Sequence, residues 1–222
     1  SQEIGKFNAI LFLWELSKPK KPLQRSRIWT DPKGFEYLGV WQNASLLRTL
    51  IRRFTLNLTL KYPYERRLKA QLDDAARSVI RNIEEGFKRP TTFEYLQFLG
   101  YSQASLEEVK GDLRDAKTDG FLPSQPLSTL KNTLKIDLRV YKGTLKGQVK
   151  GDPASEPNHP YYLPLTTLNP DTLTYEIFLE LVNKTDYLLR SLVHSLEEKQ
   201  TQNLKGYQIE QARIKSNVKG QI

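Results

Sequence analysis

The chain has 222 residues, 38% of them hydrophobic and 27% charged, which suits one domain with embellishments, or at most one large and one small. Its 34 Lys and Arg against 25 Asp and Glu leave a net charge of +9 and a pI near 9.5, a balance that favours polyanionic partners. The absence of cysteine excludes disulfides and thiolate metal sites and suits a reducing cytoplasm, the expected location.

Residues 1–35 read as an N-terminal arm. Its apolar run Phe7 to Leu16, FNAILFLWEL, is half the roughly twenty residues a membrane span needs, so no membrane association is expected. The chain holds no methionine, so its start is expected to be processed or trimmed. The tripeptides at Asn43, Asn57 and Asn183 that fit a glycosylation pattern are assigned no role in a cytoplasmic chain.

From Glu36 to Lys61, Val40, Ala44, Leu47, Ile51, Phe54 and Leu58 alternate steps of four and three, the stripe of a first helix, which Tyr62-Pro63-Tyr64 ends. A second helix runs from about Glu65 to Glu85 on Leu68, Leu72, Ala75, Val79 and Ile83. In the stretch IEEGFKRPTTFE that follows, Gly86 is expected at the left-handed position just past the helix, with Lys88 and Arg89 near the negative end of its dipole. Pro90 blocks continuation, and Thr91-x-x-Glu94 reads as a capping box. The stretch is a corner between helices rather than a catalytic site.

The third helix is predicted from Thr92 to about Asp119, with Tyr95, Leu99, Leu106 and Leu113 inward and Gly100, Ala104 and Gly111 as a strip along which another helix would pack closely. In the insert 121–170, Leu127, Leu130, Leu134, Leu138, Tyr141, Leu145 and Val149 also fall at helical spacing. Beside them Lys131, Lys135, Arg139, Lys142, Lys146 and Lys150 would share an arc of about 100° on that helix. A proline-rich loop follows. The last helix is predicted from Asp171 to Lys199, and 200–222 is either a frayed helical suffix or disordered. The expected fold is all-α: an up-down four-helix bundle over 36–199, with an inserted basic helix and proline-rich loop between helices three and four.

The segment Gln71-Leu72-Asp73-Asp74-Ala75-Ala76-Arg77-Ser78-Val79-Ile80-Arg81-Asn82-Ile83-Glu84-Glu85-Gly86, followed later by Ala104-Ser105-Leu106-Glu107-Glu108, resembles a family pattern, Q-I-R-R-A-A-x-S-I-x-x-N-I-A-E-G then G-S-L-x-E. The family is that of bacterial four-helix-bundle proteins. It includes the ribosomal-RNA intervening-sequence proteins and the accessory variability determinant of diversity-generating retroelements. The likeness covers residues 36–120 and the last helix, and the C-terminal stretch looks like a longer variant with a helical suffix. It implies a homo-oligomer, often a pentamer, whose basic surfaces bind nucleic acid or dock on a reverse transcriptase. The family's paired arginines are here Asp73 and Asp74, and Arg77 and Arg81 follow one turn later, at spacings that allow Asp73–Arg77 and Asp74–Arg77 pairs.

Residues 1–36, 37–120 and 121–170 each carry +3 and residues 171–222 carry none, so the insert is the most concentrated. The first choice for nucleic-acid contact is therefore the line Lys131, Lys135, Arg139, Lys142, Lys146 and Lys150. Arg48, Arg52, Arg53, Arg77, Arg81, Lys88 and Arg89 are further candidates, and Tyr141, Tyr161, Tyr162, Trp29 and Tyr37 are candidates for stacking on unpaired bases. RNA and DNA are not distinguished.

Catalysis is not expected. The adjacent carboxylates Glu84/Glu85 and Glu107/Glu108 diverge by about 100° on a helix. The two histidines, His159 in the loop and His194 in the last helix, do not supply the paired helical Glu-x-x-His of a bundle di-metal site, and no cofactor is expected. No Gly-rich phosphate loop or serine elbow occurs. The leading reading is a nucleic-acid-binding accessory protein, with a reverse transcriptase or another RNA-handling enzyme as its partner. The alternative is a protein interaction scaffold without nucleic-acid contact.

Overall fold

In a computed structural model, residues 31–151 and 163–219 are described. They are all-helical, with no strand among them. Six α-helices follow one another: α1 Gly39–Lys61, α2 Arg66–Lys88, α3 Thr92–Thr118, α4 Leu138–Gly151, the single turn α5 Leu163–Thr166, and α6 Tyr175–Lys219. Short 3-10 turns at Gly34–Tyr37 and Pro170–Thr172 lead into α1 and α6. Residues 26–194 form one compact unit, and α6 from Ser195 onward belongs to a second. The N-terminal arm up to residue 30 and most of the proline-rich loop lie outside the described residues, and with them Trp29, His159, Tyr161 and Tyr162.

The sequence places α1 at the centre. Its expected stripe is buried, and in its first two turns burial extends to every residue from Val40 to Leu47. The preceding turn explains part of this, since Phe35 packs its ring against Trp41 and Phe87 and Gln42 donates to the Glu36 carbonyl. Helix α2 runs antiparallel to α1. Two side-chain hydrogen bonds fix the register: Trp41 Nε1 donates to Glu84 at 3.0 Å, and Thr55 Oγ1 donates to Asp73 at 2.9 Å. Helix α3 returns along α2, and Ser102 Oγ bonds the Val79 carbonyl between them.

The corner after α2 is built differently from the expectation. Gly86 lies inside α2, not beyond it, and only Gly120 among the described glycines has a left-handed φ, +79°. What Gly86 supplies is room. A Cβ there would stand 2.7 Å from Tyr95 Cδ2 and 2.8 Å from Phe98 Cβ, so its absence lets α3 close onto α2. The helix ends two residues later, at Lys88, because Arg89 precedes a proline and adopts extended backbone, ψ 143°. The Thr91–Glu94 capping box then opens α3 as expected. At the far end, Gly120 N–H bonds the Lys117 carbonyl and Phe121 N–H the Ala116 carbonyl, a Schellman closure.

Two further expectations are corrected. No described atom lies within 4 Å of a Cβ built on Gly100 or Gly111, so the small-residue strip meets no other helix of the described chain. The insert is not helical from Leu127. Residues 121–137 form a chain of turns, with left-handed backbone at Leu127 (φ 69°) and Lys135 (φ 59°), and the helix begins only at Leu138. The strap is pinned to α6 and its approach. Pro123 O accepts from Tyr175 N–H, the Glu176 carboxylate accepts from Ser124 and Gln125, and Leu130 N–H donates to Glu180 at 2.8 Å. Leu130, Leu134 and Ile136 bury themselves from irregular backbone, which reproduces a helical spacing without a helix. Asp137 then caps α4 by accepting from Arg139 N–H.

Helix α6 packs Ile177, Phe178, Leu181, Val182 and Leu189 inward, with the Phe178 ring 5.9 Å from that of Phe54 on α1. It continues twenty residues past the predicted end, to Lys219.

Candidate nucleic-acid interface

Helix α1 contains no carboxylate, while Arg48, Arg52, Arg53 and Lys61 all lie on it. At 100° per residue, Arg48 and Arg52 flank the seam with α2 that Trp41 and Thr55 define, and Arg53 lies further out. On α2, Arg77 and Arg81 are turned to the same side of that seam, by the same count from Asp73 and Glu84. The antiparallel register puts Arg48 and Arg52 between the levels of Asp73 and Glu84, beside Arg77 and Arg81. Four guanidiniums, of Arg48, Arg52, Arg77 and Arg81, thus share one face of the helix pair, with Arg53 turned about 100° from Arg52.

Their pairing decides what that face can do. Among the described residues, Arg48, Arg52, Arg53 and Arg77 make no salt bridge, and neither of the pairs the spacing allows, Asp73–Arg77 or Asp74–Arg77, forms. Asp73 is held instead by Thr55. Arg81 is committed to Glu84 at 2.7 Å, and that carboxylate is engaged by Trp41 as well. Arg52, Arg53 and Arg77 are exposed and Arg48 is half-buried. Between them the exposed Leu56 and Leu60 continue the strip towards Tyr64, which is 95% exposed at the α1–α2 corner. Unpaired guanidiniums suit phosphate recognition, since each can make bidentate contacts without first breaking an internal pair.

The remaining sequence candidates are dispersed. Lys131 pairs with Asp137 at 3.8 Å, and Lys135 donates to the Asn132 carbonyl at 2.9 Å, both on the strap. Only Arg139, Lys142, Lys146 and Lys150 belong to α4, so the line of six is broken after its second member. Arg139 is exposed and Lys142 lines a cleft described below; the side chains of Lys146 and Lys150 lie outside the described residues. Lys88 stands 5.5 Å from the Phe35 ring centroid. Arg89 stacks 4.4 Å from Phe98 and pairs with Glu85, so both basic residues of the corner hold the corner together. Tyr141 is buried to 1% exposure, and burial pushes its hydroxyl pKa up against a hydrogen bond with Ser45, so it is not available for stacking.

Carboxylates gather elsewhere. Burial raises the Asp112 pKa on α3, with Asp115 and Glu108 adding to it, and that region opposes rather than attracts polyanions. Among the described residues no cluster of three His, Cys, Asp or Glu could hold a metal, and no helix is long and apolar enough to cross a membrane.

Residues 36–139 match the family model of the 23S rRNA-intervening sequence protein. No curated protein and no solved structure matched the chain.

Proposed function

We propose that this protein, whose residues 36–139 match the model of the 23S rRNA-intervening sequence protein family, is a non-catalytic nucleic-acid-binding accessory protein of the cytoplasm that acts in RNA handling. The observation that carries the reading is the α1–α2 face, where Arg48, Arg52, Arg53 and Arg77 stand without carboxylate partners among the described residues. This face replaces the insert as the first choice, because Lys131 and Lys135 are drawn into local contacts. Arg139 and Lys142 are auxiliary contacts.

The chain acts as a homo-oligomer, and a reverse transcriptase or other RNA-handling enzyme is its protein partner. Support for assembly comes from the outer side of α3, where Phe93 and Tyr101 are 60% and 57% exposed beside Gly100 and Ala104. The same side supports the second reading, a scaffold that binds protein alone.

Fluorescence anisotropy with structured RNA and with single-stranded DNA, across a salt series, separates the two. A nucleic-acid binder loses affinity steeply between about 50 and 200 mM salt. A scaffold shows no nucleic-acid isotherm and holds a stoichiometric protein complex through about 0.5 M salt, where screening leaves little electrostatic attraction.

A further inference from the structure

A cleft of about 340 Å³ opens between α1, α4 and α6, lined by Asn43, Leu138, Lys142, Asn183, Lys184, Tyr187 and Leu188. Asn43 forms its floor. That residue is 1% exposed, and its side-chain Oδ1 is buried without a donor. Leaving such an acceptor unpaired costs about 1–3 kcal/mol, a cost that a purely structural position would shed by substitution to leucine. The unpaired Oδ1 therefore points to something that enters the cleft and donates to it.

The chemistry around Asn43 narrows the visitor. A second carboxamide, Asn183, and an exposed ring, Tyr187, stand on α6, while Leu138 and Leu188 supply apolar walls. Paired carboxamides suit the donor–acceptor edges of a nucleobase, and an aromatic ring with aliphatic walls suits its faces. Two ammonium groups complete the cleft. Lys184 is ion-paired with Glu180 at the rim, and Lys142 Nζ reaches within 3.5 Å of where a Cβ on Gly39 would be. Gly39 is the first residue of α1, and no side chain caps that end, so the positive end of a 23-residue helix lies next to Lys142. A phosphate is the complementary group. The volume falls at the lower end of small-ligand sites, about 300–1,000 Å³, which fits one nucleotide rather than a larger cofactor.

We propose that this cleft binds a single nucleotide, with the base edge on Asn43 and Asn183, the base plane against Tyr187, and the phosphate beside Lys142 at the amino end of α1. The choice of ligand class rests on the nucleic-acid reading above, but the cleft uses none of the α1–α2 arginines. The nucleotide is either free or an unpaired unit of an RNA strand.

Calorimetric titration of the full chain with each ribonucleoside 5′-monophosphate, with the matching nucleosides and with inorganic phosphate tests the assignment. One-site binding of a monophosphate is expected, weakened at least about tenfold when either the base or the phosphate is missing. Asn43→Leu is expected to lower monophosphate affinity at least about tenfold while melting no lower than the natural chain, because it removes the unpaired acceptor. Asn183→Leu, at an exposed position, repeats the affinity test where folding is not at stake. No monophosphate binding up to about 10 mM, or affinity unchanged in both variants, overturns the proposal. Structured RNA titrated in parallel separates the failures: if RNA binds and monophosphates do not, the cleft assignment falls and the arginine face stands. Displacement of bound monophosphate by an oligonucleotide with one unpaired base identifies the strand as the source, and failure to displace it identifies the free nucleotide.

Discussion

At the scale of single residues, two glycines on neighbouring helices make opposite predictions. A Cβ on Gly86 would press into Tyr95 and Phe98, whereas one on Gly100 would meet nothing within 4 Å. Gly86→Ala is therefore expected to destabilise the fold by about 1–3 kcal/mol through forced repacking. Gly100→Ala is expected to stabilise the isolated chain by up to about 1 kcal/mol through helix propensity. Chemical denaturation of the two variants checks both signs. The local signals for this corner are plain in sequence: Pro90, the Thr91–Glu94 box and a glycine near a helix end all have short-range meanings. The function of Gly86 was not legible, because it depends on where Tyr95 and Phe98 arrive from the next helix. Gly120, whose role is purely local, did take the helix-ending position that the sequence indicates for Asp119-Gly120.

At the scale of elements, the bundle helices were legible and the insert was not. The stripes of α1 to α3 are long and tied to clear stop signals, and their bounds shift by three residues or fewer. In the insert, Leu130, Leu134, Tyr141 and Leu145 keep helical spacing and are all buried, yet the backbone turns until Asp137. Asp137 was the available signal, an N-cap residue type directly before the true helix. What holds the strap is long-range, chiefly Glu176 and Glu180 on α6, and no periodicity encodes it. Burial raises the Glu176 pKa, but hydrogen bonds from Ser124 and Gln125 N–H outweigh it and leave the pKa lowered. A carboxylate with a lowered folded pKa contributes stability above its unfolded pKa and loses that contribution as pH falls through the folded value. Acidification below about pH 4 is thus expected to loosen the strap. Hydrogen exchange at Gln125 and Tyr175 should accelerate there, and Glu176→Gln should show the faster exchange already at neutral pH. Exchange at these amides that is independent of pH after correction for the intrinsic rate would contradict this role.

At the scale of the whole molecule, the net charge of +9 favours a polyanionic partner but does not say where one would bind. Charge counting by segment pointed to the insert, because counting cannot see pairing. The structure draws Lys131, Lys135, Lys88 and Arg89 into internal contacts and leaves the α1 arginines and Arg77 without partners among the described residues. Asp73 and Asp74 form no ion pair with Arg77. The face emerges only when two helices 18 to 43 residues apart in sequence are set in register by Thr55–Asp73 and Trp41–Glu84. The most direct measurement is the salt dependence of RNA affinity for the natural chain and for the variant Arg48→Gln/Arg52→Gln/Arg53→Gln/Arg77→Gln. With about 0.7–0.9 counterions released per phosphate contact, losing four contacts is expected to flatten the log–log slope by about three and to weaken binding at least tenfold near 0.1 M salt. An unchanged slope and affinity in a variant that folds normally would contradict the account.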